Sequence, residues 1–125
     1  MSFTILVVED EEAMRVLLRE FLEMLGYEVV EAGDGHTALE AARFGPIALA
    51  FLDMNLPDLN GLELMGRLRS MGATFPFVVL SGNLRESFTG EVTQLGVREV
   101  LEKPVDLNVL EDLVRQILNE GRAAA

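Results

Sequence analysis

Residues that could take part in chemistry stand where the short apolar stretches of this sequence end. They are a carboxylate pair after the first stretch, a carboxylate after the third, a hydroxyl after the fourth and an ammonium after the fifth: Glu9, Asp10, Asp53, Ser81 and Lys103. Carboxylates within about 4–6 Å of one another raise each other's pKa unless a cation intervenes. Mg²⁺ suits such a group, because it is typically held by one or two carboxylates and a phosphate oxygen. These residue types therefore indicate phosphoryl transfer, where catalysis is mostly positioning and charge neutralisation.

The elements that would position these residues alternate along the chain five times. Each apolar stretch has the length of a strand and is followed by a segment with apolar residues at helical spacing. Strands are predicted at Ile5–Val8, Tyr27–Val30, Ile47–Leu52, Phe77–Leu80 and about Glu99–Leu101. Because these stretches are continuously apolar, the sheet is predicted to be parallel and covered by helices on both faces. Such a doubly wound α/β fold binds ligands beyond the carboxyl ends of its strands, where the residues named above are expected to share a cleft.

The predicted helices differ in how clearly the sequence marks them. Gly26 closes the first, Asp34 caps the second and Asp106 caps the last. The fourth, about Leu84 to Leu95, is the weakest, because its threonines and glycine have low helix propensity. Turn residues precede the third helix, and they are Pro57, Asp58, Asn60 and Gly61.

Composition narrows the class of protein. The 125 residues fit one domain with a core of its own. Without cysteine the chain has no disulfide, zinc thiolate site or thiol catalysis. A net charge of −11 argues against a nucleic-acid-binding surface. The sequence has no apolar run of the roughly 20 residues needed to span a membrane and no export signal. We therefore expect a cytoplasmic protein.

The order and spacing of the polar motifs resemble those of the receiver domain of bacterial-type two-component response regulators. The match extends from about Phe3 to Asn119. The motifs are Glu9-Asp10, then Asp53-Met54-Asn55-Leu56-Pro57 with Gly61, then Ser81-Gly82, then Lys103-Pro104. The resemblance implies a flavodoxin-like sheet of five parallel strands in the order 2-1-3-4-5 with five helices. It also implies a receiver domain at residues 1–120, followed by a tail or linker start at 121–125.

By this resemblance, Asp53 is the phosphoacceptor. It takes a phosphoryl group from a phosphohistidine of a partner histidine kinase or phosphotransfer protein, and the product is a labile acyl phosphate that suits a reversible signal. The resemblance implies Mg²⁺ as cofactor, held by Glu9, Asp10, Asp53 and the backbone carbonyl of Asn55. Asp10 is the expected direct ligand, while Glu9 is expected to act through water. The domain would then be a switch that catalyses only its own phosphorylation and dephosphorylation.

The same resemblance assigns roles to five further residues. Lys103 would neutralise one phosphoryl oxygen, and Ser81 would donate a hydrogen bond to another. Gly82 would keep the acceptor accessible, and with Asn83 it would belong to the switch region after the fourth strand. Pro104 resembles the family's cis proline after the lysine.

The sequence departs from the family in the residues that transmit the signal. Ser81 replaces the commoner threonine, and Val100 stands where the family usually has tyrosine or phenylalanine. That aromatic ring normally turns inward after phosphorylation, so Val100 predicts that the usual ring switch is absent or weakened. We hypothesise that the loop Gly82–Arg85 and the fourth helix rearrange instead, since segments of low stability often serve as switches.

The resemblance also suggests partners. They are the phosphoryl donor, a protein target or covalently attached output domain, and a second copy of the chain bound through the fourth helix, fifth strand and fifth helix. Neither nucleic acid nor membrane is expected as a direct partner. The chain could be a stand-alone regulator or a fragment of a longer protein.

Three alternative functions share part of this pattern. A phosphatase of the haloacid-dehalogenase type would need a second aspartate where this chain has Asn55. A flavodoxin-type electron carrier would need a phosphate-binding loop rich in Ser, Thr and Gly after the first strand, and no such loop follows that strand in this sequence. A receiver-like interaction module that no longer turns over phosphate is the nearest rival, and Val100 is its only support.

Three further polar residues are predicted to be structural: Glu11 and Glu12 complement a helix N-terminus, and His36 is a solvated first-turn residue.

Overall fold

The computed structural model of this protein describes residues 3–82 and 94–123, with the side chains of the last helix described as far as Asn119. The strands are β1 (Thr4–Val8), β2 (Glu28–Ala32), β3 (Leu49–Asp53), β4 (Phe77–Ser81) and β5 (Val97–Glu102). The described helices are α1 (Glu12–Met24), α2 (Gly35–Arg43), α3 (Gly61–Ser70) and the last helix (Leu107–Ala123). The predicted fourth helix falls almost wholly on residues 83–93, outside the described residues.

The five strands form one parallel sheet in the order β2-β1-β3-β4-β5. This order confirms the predicted α/β, flavodoxin-like fold. The third strand begins later than predicted and includes Asp53. Its pairing with β1 starts at Leu49 opposite Ile5, so Ile47 precedes the ladder and stays outside the strand.

The hydrophobic core consists of two layers, one on each face of the sheet. Alternate residues of the central strands divide between them: Ile5 and Phe51 pack towards α1 and the last helix, while Leu6 and Leu52 pack towards α2 and α3. All five residues of β3 and all five of β4 are buried. Coverage on both faces explains why these strands are continuously apolar.

Polar side chains begin the helices as the sequence predicts. The Asp34 carboxylate accepts a 2.7 Å hydrogen bond from the amide of Thr37 at the start of α2, and Asp106 accepts one of 2.8 Å from the amide of Asn108. Gly26 follows α1 with a φ of 101°, a conformation that favours glycine. None of the described helices is long and apolar enough to cross a membrane.

Candidate metal centre at the carboxyl edge of the sheet

Three carboxylates meet beyond the carboxyl ends of β1 and β3, which are neighbours in the sheet. Oxygen atoms of Glu9, Asp10 and Asp53 all lie within 4.8 Å of one another. The side chains of Glu9 and Asp53 are buried, with 0% and 3% of each residue exposed, whereas Asp10 is exposed. The structure thus brings together the three carboxylates that the sequence places at strand ends, and leaves one of them open to solvent.

Lys103 supplies a positive charge to this cluster from the end of β5. Its Nζ lies 2.7 Å from Oε1 of Glu9 and 3.3 Å from Oδ2 of Asp53. The backbone fixes the position of this lysine, because its amide donates a 2.8 Å hydrogen bond to the carbonyl of Ser81 on the neighbouring strand. The peptide between Lys103 and Pro104 is cis, as predicted. One ammonium therefore contacts two of the three carboxylates.

The electrostatics of the cluster are those of an excess of negative charge. The pKa of Glu9 is raised to about 7, mainly by burial and also by the neighbouring Asp53. The hydrogen bond from Lys103 lowers this pKa, but its effect is smaller than that of burial. Burial lowers the pKa of Lys103, but the hydrogen bond to Glu9 and the charges of Asp53 and Glu9 outweigh that effect, so the pKa is raised. A buried carboxylate with a raised pKa is common where a protein binds a cation or carries out proton or phosphoryl chemistry.

The cluster fits a hard divalent cation. Oε1 of Glu9 is buried and lies against the ammonium of Lys103, which also contacts Asp53, so one positive charge is shared between two buried carboxylates. The ligand atoms available are all oxygens, which Mg²⁺ prefers. A cation placed among the carboxylates would relieve the repulsion that raises the pKa of Glu9.

The connection from β3 to α3, residues 54–60, begins at the Asp53 carboxylate. Oδ1 of Asp53 accepts a 3.0 Å hydrogen bond from the amide of Asn55. The amide of Gly61 donates to the carbonyl of Met54 at 2.9 Å, which brings the end of the connection back against its start. A Cβ at Gly61 would lie 2.9 Å from Cα of Met54 and 3.1 Å from the carbonyl oxygen of Asp53. Glycine is needed here because backbone atoms fill the space.

The remaining predicted site residues lie around this cluster or outside the described residues. Ser81 is buried at the end of β4 with 2% exposed, and Gly82 follows it at the surface. Asn83 lies outside the described residues. Val100 pairs with Val79 in the sheet and packs, half-buried, against the core layer on the α2 and α3 side.

Asp58 has partners that the sequence did not indicate. It is more than a turn residue, because its carboxylate accepts hydrogen bonds from the amides of Gly35 at 2.8 Å and His36 at 3.0 Å, and also contacts Nδ1 of His36. The hydrogen bond from the Gly35 amide is the main cause that holds the pKa of Asp58 well below its usual range. The side chain of His36 is exposed to solvent, as predicted, but it is paired with Asp58. Gly35 and Asp58 are 23 positions apart in the sequence, and no residue pattern indicates that they are in contact.

A parallel sheet in this strand order, with an acidic cluster and a lysine at its carboxyl edge, defines a receiver-type α/β domain. Residues 5–115 match the family described as the response regulator receiver domain, and the chain belongs to this family. Receiver domains are signalling switches of two-component systems, and phosphorylation is general to the family. They work with histidine kinases or phosphotransfer partners, and some carry output domains.

Individual relatives agree with this assignment. The alkaline phosphatase synthesis transcriptional regulatory protein PhoP of Bacillus subtilis is 35% identical over 125 residues, which are 100% of this chain and 52% of PhoP. The CheY-like receiver domain from Methylobacillus flagellatus superposes with a TM-score of 0.85 at 35% identity, covering 94% of this chain and 99% of that one. The response regulator TrrA from Thermotoga maritima, solved in complex with Mg²⁺–BeF, superposes with a TM-score of 0.81 at 29% identity, covering 92% and 98%. The chain spans about half or less of the length of the first curated relatives it matches.

Proposed function

We propose that this chain is a phosphorylation switch whose acceptor is Asp53. The observation that carries the proposal is the setting of its carboxylate. The Asp53 carboxylate is buried, and one of its oxygens lies within 4.8 Å of carboxylate oxygens of Glu9 and Asp10. The ammonium of Lys103 lies 3.3 Å from its Oδ2. Carboxylates without a countercharge repel an incoming phosphoryl group, so an acceptor of this kind needs cations beside it.

The reaction we propose is transfer from a phosphohistidine of a partner kinase or phosphotransfer protein. An oxygen of the Asp53 carboxylate forms a bond to phosphorus as the phosphorus–nitrogen bond of the phosphohistidine breaks. The electron pair of that bond stays on the imidazole nitrogen. Lys103 neutralises negative charge on a phosphoryl oxygen, and Ser81 donates a hydrogen bond to another. Water later attacks phosphorus, which releases inorganic phosphate and restores the carboxylate.

Mg²⁺ is the cofactor we propose for this site. Glu9, Asp10, Asp53 and the backbone carbonyl of Asn55 would hold it, with Asp10 as the direct ligand and Glu9 acting through water. When bound, the ion supplies charge neutralisation for the phosphoryl oxygens. The excess of carboxylates over cations in the cluster supports this assignment, as does the Mg²⁺–BeF bound to the related TrrA.

Incubation with acetyl phosphate and Mg²⁺, followed by intact-mass measurement, tests the proposal. We expect the wild-type chain to gain the mass of one phosphoryl group and to lose the gain in EDTA. Asp53→Asn should abolish it, whereas Asp58→Asn, a matched change in the same loop outside the cluster, should keep it. A gain that survives Asp53→Asn would contradict the acceptor. No gain in the wild type would favour an interaction module without phosphate turnover, the alternative for which Val100 is the only support.

The same proposal includes a route for the signal. Because Val100 offers no ring to bury, we propose that phosphorylation changes the loop after β4 and the surface of the predicted fourth helix. Hydrogen exchange with and without beryllofluoride is the second readout, and unchanged protection from Gly82 to Leu95 would contradict this route. A protein target or attached output domain would receive the signal. A homodimer through the predicted fourth helix, β5 and the last helix stays a prediction.

A further inference from the structure

Arg15 connects α1 to the backbone of the acidic cluster. Its Nη1 donates a 2.8 Å hydrogen bond to the backbone carbonyl oxygen of Glu9, six residues earlier in the chain. Its Nε lies 3.3 Å from Oε1 of Glu31 on β2, and 19% of its side chain is exposed. The guanidinium is a planar group with several donors in fixed directions, so it can hold both partners at once.

Two neighbours keep this guanidinium in place. Glu31 also binds Nη1 of Arg19 through Oε2 at 2.7 Å, so its carboxylate is shared by two arginines one turn apart on α1. Gly33 lies directly beneath Arg15, since a Cβ there would be 3.2 Å from Nη1. The side chain of Arg15 therefore lies between Glu31 and the backbone that follows β2.

The hydrogen bond to Glu9 matters because β1 has ended by this residue. The amide of Glu9 still donates to the carbonyl of Ala32 at 3.0 Å, but the strand itself ends at Val8. A backbone carbonyl away from water needs a partner, and Arg15 provides it. That carbonyl belongs to the peptide that joins Glu9 to Asp10. Fixing this peptide fixes the direction in which the chain presents Asp10.

We propose that Arg15, held by Glu31, is a positioning residue of the metal site. It keeps the Glu9–Asp10 peptide in the orientation that places the exposed Asp10 carboxylate within reach of Glu9 and Asp53. The inference rests on the proposed function, because it concerns the cation that the cluster would bind. It adds a residue that touches neither the cation nor the phosphoryl group.

The sign of the effect separates positioning from charge alone. Arg15 carries a positive charge near the site, so its removal would by charge alone strengthen the binding of a cation. Loss of positioning weakens that binding instead. We expect Arg15→Gln to weaken Mg²⁺ binding about 10-fold, the lower end of the loss typical when an outer partner of a metal ligand is removed. Arg15→Lys keeps the charge but loses the planar fork, and should also weaken binding.

Titration of the amide NMR signals with MgCl₂ measures the dissociation constant directly. Arg19→Gln is the matched control, because it removes the same charge and a contact with the same Glu31 but leaves the hydrogen bond to Glu9 in place. The Mg²⁺ affinity of this variant should stay within about 2-fold of the wild type. Phosphorylation by acetyl phosphate gives a second readout. In Arg15→Gln the Mg²⁺ concentration for half-maximal rate should rise, while the rate at saturating Mg²⁺ stays near that of the wild type.

The outcomes are distinguishable. Failure of the wild type to bind Mg²⁺ would contradict the proposed metal site itself. Wild-type binding with equal or tighter binding by Arg15→Gln would overturn only the role of Arg15. Melting in EDTA checks that each variant folds. If Arg15→Gln does not, Arg15→Lys decides, because it keeps the charge: it should weaken Mg²⁺ binding, and unchanged affinity would overturn the inference.

Discussion

The two sides of the connection between β3 and α3 hold carboxylates in opposite situations. At its start, Asp53 is buried beside two further carboxylates, and Lys103 is the cation that contacts it. At its far side, Asp58 faces amides at the N-terminus of α2 and the ring of His36. The first group has more negative charge than its partners balance, and the second is a carboxylate surrounded by donors.

The pKa shifts express this difference. Burial raises the pKa of Glu9 to about 7, whereas the amide hydrogen bonds hold the pKa of Asp58 below its usual range. A site that must bind a cation gains from carboxylates that are unsatisfied without it. A loop that must be held in place gains from a carboxylate that is fully satisfied. The same short connection thus has one side suited to ligand binding and one suited to support.

The largest effect on stability is expected at Gly61, where the connection between β3 and α3 closes against its own start. Gly61→Ala should lower the free energy of unfolding by about 3 kcal/mol, because its Cβ would meet backbone of Met54 and Asp53 that cannot move without shifting the acceptor. Urea unfolding in EDTA measures this loss without a contribution from metal. Phosphorylation by acetyl phosphate should also slow.

Gly66 offers the matched control on the same helix. Nothing lies within 4 Å of a Cβ at Gly66, so Gly66→Ala should raise the free energy of unfolding by roughly 0.5–1 kcal/mol through helix propensity. If both variants changed stability in the same direction, close packing at Gly61 would not be the reason for glycine there.

A smaller effect of opposite sign is expected at Glu9. Burial raises its pKa from the usual 4.5 to about 7 in the folded chain, so the unfolded chain releases this proton first and stability falls as pH rises between those values. Glutamine has no such proton. In EDTA at pH 8, Glu9→Gln should therefore be more stable than the wild type by about 2 kcal/mol.

The pH dependence provides the check on Glu9. Near pH 4.5 the urea midpoints of Glu9→Gln and the wild type should coincide, because the carboxyl is then largely protonated in the folded chain. Saturating Mg²⁺ should favour the wild type, since a ligand that binds only the folded chain stabilises it. Equal stability of the two proteins at pH 8 in EDTA would show that burial does not raise the pKa of Glu9.

Most of the fold and the centre of the site could be predicted from the sequence. Continuous apolar strands indicate a parallel sheet, and a parallel sheet brings strand ends such as Glu9 and Asp53 to one edge. The contacts that support the site could not be predicted. Asp58 and Arg15 bind backbone groups of distant or separate elements, and a backbone amide or carbonyl has no residue type to indicate it. Asn60 was predicted as a turn residue, yet its side chain caps α3 by accepting a 2.7 Å hydrogen bond from the amide of Glu63.

The smallest effect is expected at Asp58, and it tests whether the two sides of the connection act independently. A carboxyl whose pKa is lowered by folding stabilises the protein above its unfolded pKa of about 3.9 and loses that contribution as pH falls through the folded value. Asp58→Asn should therefore lower Tm at pH 7 by roughly 3 °C, and the difference should shrink below about pH 4. Thermal melts across this pH range, in EDTA, measure both.

The phosphorylation rate of Asp58→Asn then shows whether the Asp53 side and the Asp58 side of the connection act independently. Asparagine keeps an oxygen that can accept from the Gly35 amide, so the connection should keep its path and Asp53 should be phosphorylated at the wild-type rate. A rate close to wild type would mean that Asp58 supports the loop without influencing the acceptor. A clearly slower rate, in a variant that is folded at the assay temperature, would mean that the N-terminus of α2 and the acceptor are coupled through residues 54–60, and the two sides would then have to be treated as one site.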